Sequence, residues 1–416
     1  MQFLTHLSSP VRQYLLVTGN YWAFTLTDGA LRMLVLLHFH KLGYSPLQIA
    51  LLFLFYELFG VVTNLIGGWL GARFGLNRTM NLGLALQVAA LSMLLVPSHL
   101  LSVPLVMASQ ALSGIAKDLN KMSAKSSIKL LVPDGANGTL YRWIALLTGS
   151  KNALKGLGFF LGSALLTLFD FRGAVTLMAL GLGIVWLLSL RYLKQDLGKA
   201  KVKSRFSDIF SKSPAVNILS AARLLLFASR DVWFVIALPI FLANQFGWSH
   251  WLVGAFLASW VIGYGIVQTL APKITSARSS LPPDGRTALF WALLLAAAPA
   301  LIAIALYQEL DPQVVVLGGL LVFAGLFAIN SSLHSYLIVA YAREDGASLD
   351  VGFYYMANAT GRLIGTLLSG WVFQSAGLIT CLLISTAFIA LTALISMALP
   401  KHKIEEPYTR NPASQY

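Results

Sequence analysis

A chain of 416 residues that is 57% hydrophobic and only 11% charged is too apolar for a soluble globular domain and reads as an integral membrane protein. Its net charge of +14 lies in short breaks between apolar runs or inside those runs, a distribution that does not describe a nucleic-acid surface. The one cysteine, Cys381, sits within an apolar run and excludes a disulfide framework or a cysteine metal cluster.

Apolar segments long enough to cross a bilayer recur along the chain, and the pattern predicts an all-α membrane protein with twelve transmembrane helices in two six-helix halves. Met1 to Pro10 reads as a short polar lead without a cleavable signal. The first six spans run from Gln13 to Phe39, Pro46 to Leu70, Thr79 to Val96, Val103 to Leu130, Thr139 to Phe169 and Gly173 to Leu193. The second six run from Pro214 to Ala243, His250 to Leu270, Arg286 to Tyr307, Val314 to Tyr341, Val351 to Gln374 and Leu378 to Leu399. The expected units are therefore an N-terminal half over 1–193, a basic linker over 194–213, a C-terminal half over 214–399 and a polar tail over 400–416.

Lysine and arginine in the short breaks set the expected orientation. With both termini in the cytoplasm, Arg73, Arg78, the linker, Lys273, Arg278, Arg343, Lys401 and Lys403 fall inside, and the opposite breaks hold only Lys41 and Arg172. The break after the second span, Gly67 to Arg78, is similar to the loop signature of the major facilitator superfamily: Gly68, Arg73, Gly75 and Arg78 fit it, while Ala72 stands where an acidic residue is usual. Gly67 with Gly71, Gly158 with Gly162, and Gly361 with Gly365 form small faces that let helices pack closely.

The charges inside the spans carry the functional signal, because each is costly in a bilayer unless it meets protein, water or a counter-ion. Asp28 and Arg32 in the first span are spaced to pair along one helix, with contact to cargo by Arg32 or to a proton by Asp28 as the alternative. The second span carries Glu57. In the fourth, Lys117, Lys121 and Lys125 drift only about 40° per four-residue step and so form one cationic stripe. Lys117 and Lys121, with Lys151 and Lys155 one turn apart in the fifth span, are expected to line a cargo cavity; Lys125 and Lys129 read as snorkelling to the interface. Asp118 is a structural partner for those lysines or, with Glu57 and Asp28, a candidate for proton coupling; Glu57 suits that role best because it lies away from the stripe.

In the second half, Arg223, Arg230 and Asp231 lie in the seventh span, with Arg230 and Asp231 pointing about 100° apart and expected to pair with different helices. His334 is a single histidine in the tenth span. In the eleventh, Arg362 is the best second-half candidate for cargo, with Asn358, Tyr354 and Tyr355 as neutral donors around it. Cations exceed anions inside the spans by about four, which favours an anionic cargo over the lipophilic cations of multidrug exporters.

No phosphate-binding loop with a Walker spacing is present, and no nucleophile, base and metal constellation is visible, so the expectation is a transporter without a cofactor rather than an enzyme. A membrane receptor that binds an anion is a rival class, weakened by the absence of a soluble output domain.

Three strings sharpen the reading: Asn20 to His40, Ser113 to Lys129 and Gly149 to Gly156, all unusually polar for membrane helices. They resemble ArsJ-type organoarsenical efflux permeases of the major facilitator superfamily, through nearly the whole chain and most densely in the first half. The resemblance implies alternating access in a bacterial inner membrane. It implies export of 1-arseno-3-phosphoglycerate, made by glyceraldehyde-3-phosphate dehydrogenase from arsenate. The link to that enzyme is functional and need not be physical. An organophosphate or organic-anion transporter with no arsenic role remains the alternative.

Overall fold

The computed structural model describes residues 8–43, 52–97, 100–133, 135–193, 198–199, 213–248, 250–276 and 282–401, the side chains of His40, Leu54, Glu57, His250 and Trp251 excepted. The side chain of the proton-coupling candidate Glu57, most of the basic linker and the tail beyond 401 thus lie outside what is described.

All regular structure among the described residues is helical: α1 Ser9–Lys41, α2 Leu54–Phe74, α3 Leu76–Met93, α4 Val103–Leu131, α5 Asn137–Tyr192, α6 Pro214–Phe234, α7 Ala237–Phe246, α8 His250–Ser276, α9 Gly285–Tyr307, α10 Pro312–Tyr341 and α11 Ala347–Ser396. Six segments combine the length and apolarity of a bilayer span: Asn137–Tyr192, Pro214–Phe246, Leu252–Thr275, Gly285–Tyr307, Pro312–Tyr341 and Ala347–Ser396. Helix α4 is long enough too, but it carries Lys117, Asp118, Lys121, Lys125 and Lys129.

The breaks follow local chemistry. Between α2 and α3 the chain turns on Gly75 alone, at φ 96°, a conformation that side chains rarely adopt, so α2 reaches four residues past its expected end. Helix α5 is interrupted at Asp170, at φ 57°, whose carboxylate accepts from the Gly173 N–H at 2.9 Å and caps the segment that follows. Helix α11 is interrupted at Gly377, φ 76°. The expected seventh span divides into α6 and α7, and Ser369 Oγ of α11 accepts from the Ile236 and Ala237 N–H groups released at the break.

Glycine contacts set the closest helix approaches. Gly158 and Gly162 of α5 lie against Leu26, Gly29 and Ala30 of α1, and Gly361 and Gly365 of α11 lie against Leu224 and Ala228 of α6. Thus α1 meets α5 as α6 meets α11. Gly68 of α2 faces Ser348 and Gly352 of α11, and the Ser348 hydroxyl donates to the Gly68 carbonyl at 2.7 Å.

Three apolar cores result. One draws only on residues between Phe24 and Leu182, another only on residues between Leu226 and Ile389. The third joins both groups of helices at a single end of the bundle, with Tyr14, Met122, Ile128, Tyr141 and Leu193 packed among Val216, Leu333, Tyr336, Tyr354 and Leu399. Leu193 and Val216 flank the linker, which makes this the linker end of the bundle. Tyr141 and Tyr336 meet there with ring centroids 4.9 Å apart. The bundle is therefore sealed across its two groups of helices at the linker end.

Candidate functional site: a cationic cluster above the joined core

Just beyond the joined core, five helices bring charged side chains together. Asp28 of α1 is 3% exposed, and its two carboxylate oxygens accept from the Tyr56 hydroxyl of α2 at 2.7 and 2.8 Å, with Ser113 Oγ of α4 at 3.5 Å. The expected pairing of Asp28 with Arg32 does not form. A phenol reaches the carboxylate from the neighbouring helix instead, and Arg32 lies over the ring of that phenol, 4.0 Å from its centroid. Lys117 lies 3.8 Å from the same centroid. Tyr56 thus serves Asp28 with its hydroxyl and two cations with its ring.

One turn along α4, Lys121 Nζ donates to Asp118 Oδ1 at 2.6 Å, and lies 4.6 Å from the Tyr355 ring centroid of α11. Asp118 is 1% exposed, and its other carboxylate oxygen receives no hydrogen bond from the described residues. Lys151 of α5 is within electrostatic range of Lys155, Lys121, Arg362 and Lys117, so all four expected cavity lysines and the expected second-half arginine share one field. Asn152, beside Lys151, donates to Gln268 of α8 at 2.5 Å.

From the other group of helices, Arg223 of α6 donates from Nε to Asn358 Oδ1 at 2.8 Å and from Nη1 to Ser331 of α10. Phe227 and Tyr354 flank its guanidinium. Further along α6, Asp231 is fully buried and receives both Arg230 Nε at 2.6 Å and Arg362 Nε at 3.3 Å. Neighbouring Arg230 and Asp231 therefore pair with each other as well as bridging to α11. The long arginine side chain closes the angle that the helix backbone opens.

Two positions correct the sequence reading. Lys125 does not snorkel: it is 3% exposed, and its ammonium lies 5.1 Å from the Tyr355 ring centroid. Lys129 donates to the Ala340 carbonyl of α10 at 3.3 Å, within the seal. Arg223 and Lys125 are also absent from the expected cavity set. Mid-span depth pointed to Arg223, while for Lys125 the depth estimate pointed the wrong way, because a neighbouring helix and not the bilayer covers it.

Exposure grades through the cluster. The Arg362 side chain is 39% exposed, Arg230 16% and Lys121 14%, while Arg223 and Lys125, nearer the linker end on their own helices, are each 3% exposed. The cluster opens away from the linker end. A group of titratable residues able to hold a metal ion is absent among the described residues.

A helical membrane bundle with a buried charged site, open at one end and closed by a seal between two groups of helices at the other, is a solute transporter. The chain belongs to the Major Facilitator Superfamily, whose family model matches residues 15–279, so it is a transport protein and not an enzyme. Among curated proteins, none matches the chain. Solved structures of similar fold include the human organic anion transporter MFSD10 (TETRAN), 18% identical over 94% of this chain and 100% of that one, with a TM-score of 0.72. A bacterial homologue of the iron transporter ferroportin, in an outward-facing state, is 12% identical over 92% and 98%, with a TM-score of 0.73. The E. coli fucose:proton symporter FucP is 13% identical over 94% and 99%, with a TM-score of 0.74.

Proposed function

We propose that this chain is a secondary efflux permease for a small organic anion with a phosphoryl-like group at each end, and that its cargo is 1-arseno-3-phosphoglycerate. The observation that carries the reading is the convergence of Arg32, Lys117, Lys121, Lys151, Lys155 and Arg362 from α1, α4, α5 and α11 on one site open toward one end. Asn358 and Tyr355 belong to the same site as neutral partners. The long polar strings in α1, α4 and α5 resemble organoarsenical efflux permeases, which supplies the arsenic. Pentavalent arsenate esters present the same oxyanion as phosphate esters, so ammonium and guanidinium donors suit them, and no thiol is needed. Cys381 lies in the core confined to the second group of helices.

In this reading α5 and α11 each hold two spans, hinged at Asp170 and Gly377, and α6 with α7 makes one, which gives twelve in two six-helix halves. The protein sits in a bacterial inner membrane with both termini and the linker end in the cytoplasm, and the described state is open outward. An inside-negative membrane potential drives an anion out at about 2.3 kcal/mol per charge per 100 mV. Export of a multiply charged anion is then downhill without proton exchange. Asp28 and Asp118, together with Glu57, are the carboxylates at which a proton would act if it is coupled.

The test is uptake into inside-out vesicles supplied with labelled arsenate, glyceraldehyde-3-phosphate, NAD and the dehydrogenase, each omitted in turn. Accumulation that requires all four establishes the arseno ester. Equal accumulation of labelled 3-phosphoglycerate without arsenate assigns the protein instead to ordinary organophosphates. No accumulation of either overturns the anion reading.

A further inference from the structure

Lys125 is a buried lysine with no hydrogen bond or ion pair among the described residues. Its described contact is the face of Tyr355, and the charges acting on it, Arg223, Lys151 and Lys121, are all positive. Lys125 belongs to α4, whereas Arg223, Tyr354, Tyr355, His334 and Ser335 come from α6, α11 and α10. The site therefore straddles the two groups of helices, directly above the seal.

Its remaining donors are also poorly satisfied. The hydroxyls of Tyr354 and Tyr355 are buried and reach only toward the Ser335 hydroxyl, and the two ring nitrogens of His334, one of which carries a proton in a neutral imidazole, are buried without a hydrogen bond among the described residues. The two tyrosines flank Ser335, and His334 lies in the field of Arg223. Arg223 is held by Asn358 and Ser331 through Nε and Nη1, and its Nη2 has no acceptor among the described residues. Buried polar groups are ordinarily satisfied, and a concentration of unsatisfied donors around two cations is the arrangement an oxyanion completes.

We propose that Lys125 and Arg223, with the Tyr354 and Tyr355 hydroxyls, form a second anion subsite that takes one phosphoryl-like end of the cargo while the other end rests on Lys121, Lys117 and Lys151. This rests on the two-ended anion reading above. Lys121 and Lys125 are one four-residue step apart, about 6 Å along the helix, a separation that a three-carbon bisphosphate spans. Lys125 and Arg223 repel each other across the boundary between the two groups of helices, so an anion between them draws those groups together. Cargo bound at this subsite thereby favours closure of the linker end.

The experiment measures binding to purified full-length protein of two stable probes, trimethylene diphosphonate with two anionic ends and propylphosphonate with one. In the wild type, the diphosphonate is expected to bind at least about tenfold tighter. Lys125→Gln removes a charge without leaving a buried counter-ion, and is expected to bring that ratio to about one by weakening the diphosphonate alone. Tyr355→Phe, which keeps the ring under Lys121 and Lys125, lowers the ratio less, and Lys125→Arg restores most of it. A ratio near one in the wild type, or a full ratio retained in folded Lys125→Gln, overturns the subsite while leaving the anion reading standing. Failure of both probes to bind the wild type overturns the anion reading itself and the subsite with it.

Discussion

Lys121 holds its ammonium 2.6 Å from Asp118 Oδ1 on the same helix, at a point where Lys117 and Arg362 also act on it. A carboxylate placed there competes with any anionic cargo for the same ammonium. Asp118→Asn is therefore expected to tighten phosphonate binding by about tenfold, equivalent to about 1.4 kcal/mol. A calorimetric titration checks this, and weaker binding in a folded variant would assign Asp118 to shaping the site.

Tyr56 joins Asp28 to Arg32 and Lys117, and its two functions separate in one substitution. Tyr56→Phe keeps the ring face but leaves a buried carboxylate short of its donor, at a cost of about 1.5–3 kcal/mol. The expected result is a lower thermal midpoint in detergent with phosphonate affinity nearly unchanged. Equal loss of both would mean that the hydroxyl also positions cargo.

The seal at the linker end depends on backbone approach at Gly68, where an added Cβ would lie 2.5 Å from the Ser348 carbonyl oxygen of α11. Gly68→Val should wedge α2 from α11, with overpacking of about 1–3 kcal/mol directed against the closed state. In a Cys381→Ala background carrying Ile338→Cys, a fully buried position in the joined core, water-soluble maleimide should label the thiol faster once Gly68 is replaced. Gly181→Ala is the control, because its Cβ meets nothing within 4 Å. Unchanged labelling in Gly68→Val would remove this contact from the gate.

Lys129 contributes one charged hydrogen bond to the same seal, to the Ala340 carbonyl. Lys129→Ala should weaken closure by about 1 kcal/mol and slow vesicle transport by no more than a few-fold. Complete loss of transport would place Lys129 among the cargo contacts.

The sequence carried much of this arrangement. Period and spacing placed the stripe of Lys117, Lys121 and Lys125 on one face of α4, and apolar length marked most of the helices. Neighbours across helices were less legible. Depth along α4 put Lys125 near an interface, but α11 arrives there with Tyr355 and buries it. Spacing favoured an Asp28–Arg32 pair, yet the Tyr56 hydroxyl from α2 takes the carboxylate. A helical wheel gives the direction of a Cβ and not the reach of an arginine, so the Arg230–Asp231 contact between sequence neighbours was not expected. The anchoring of Arg223 by Asn358 and Ser331 depends on three helices meeting, which no local pattern records.

The central claim is that the lysines of α4 and α5 hold an anionic cargo. The most direct measurement is dehydrogenase-dependent uptake of labelled arsenate in inside-out vesicles containing the wild type, Lys117→Ala or Lys151→Ala, at matched amounts of membrane-inserted protein. Uptake in the wild type and its loss in both variants is the result this account predicts. Near-normal uptake in either variant would contradict it.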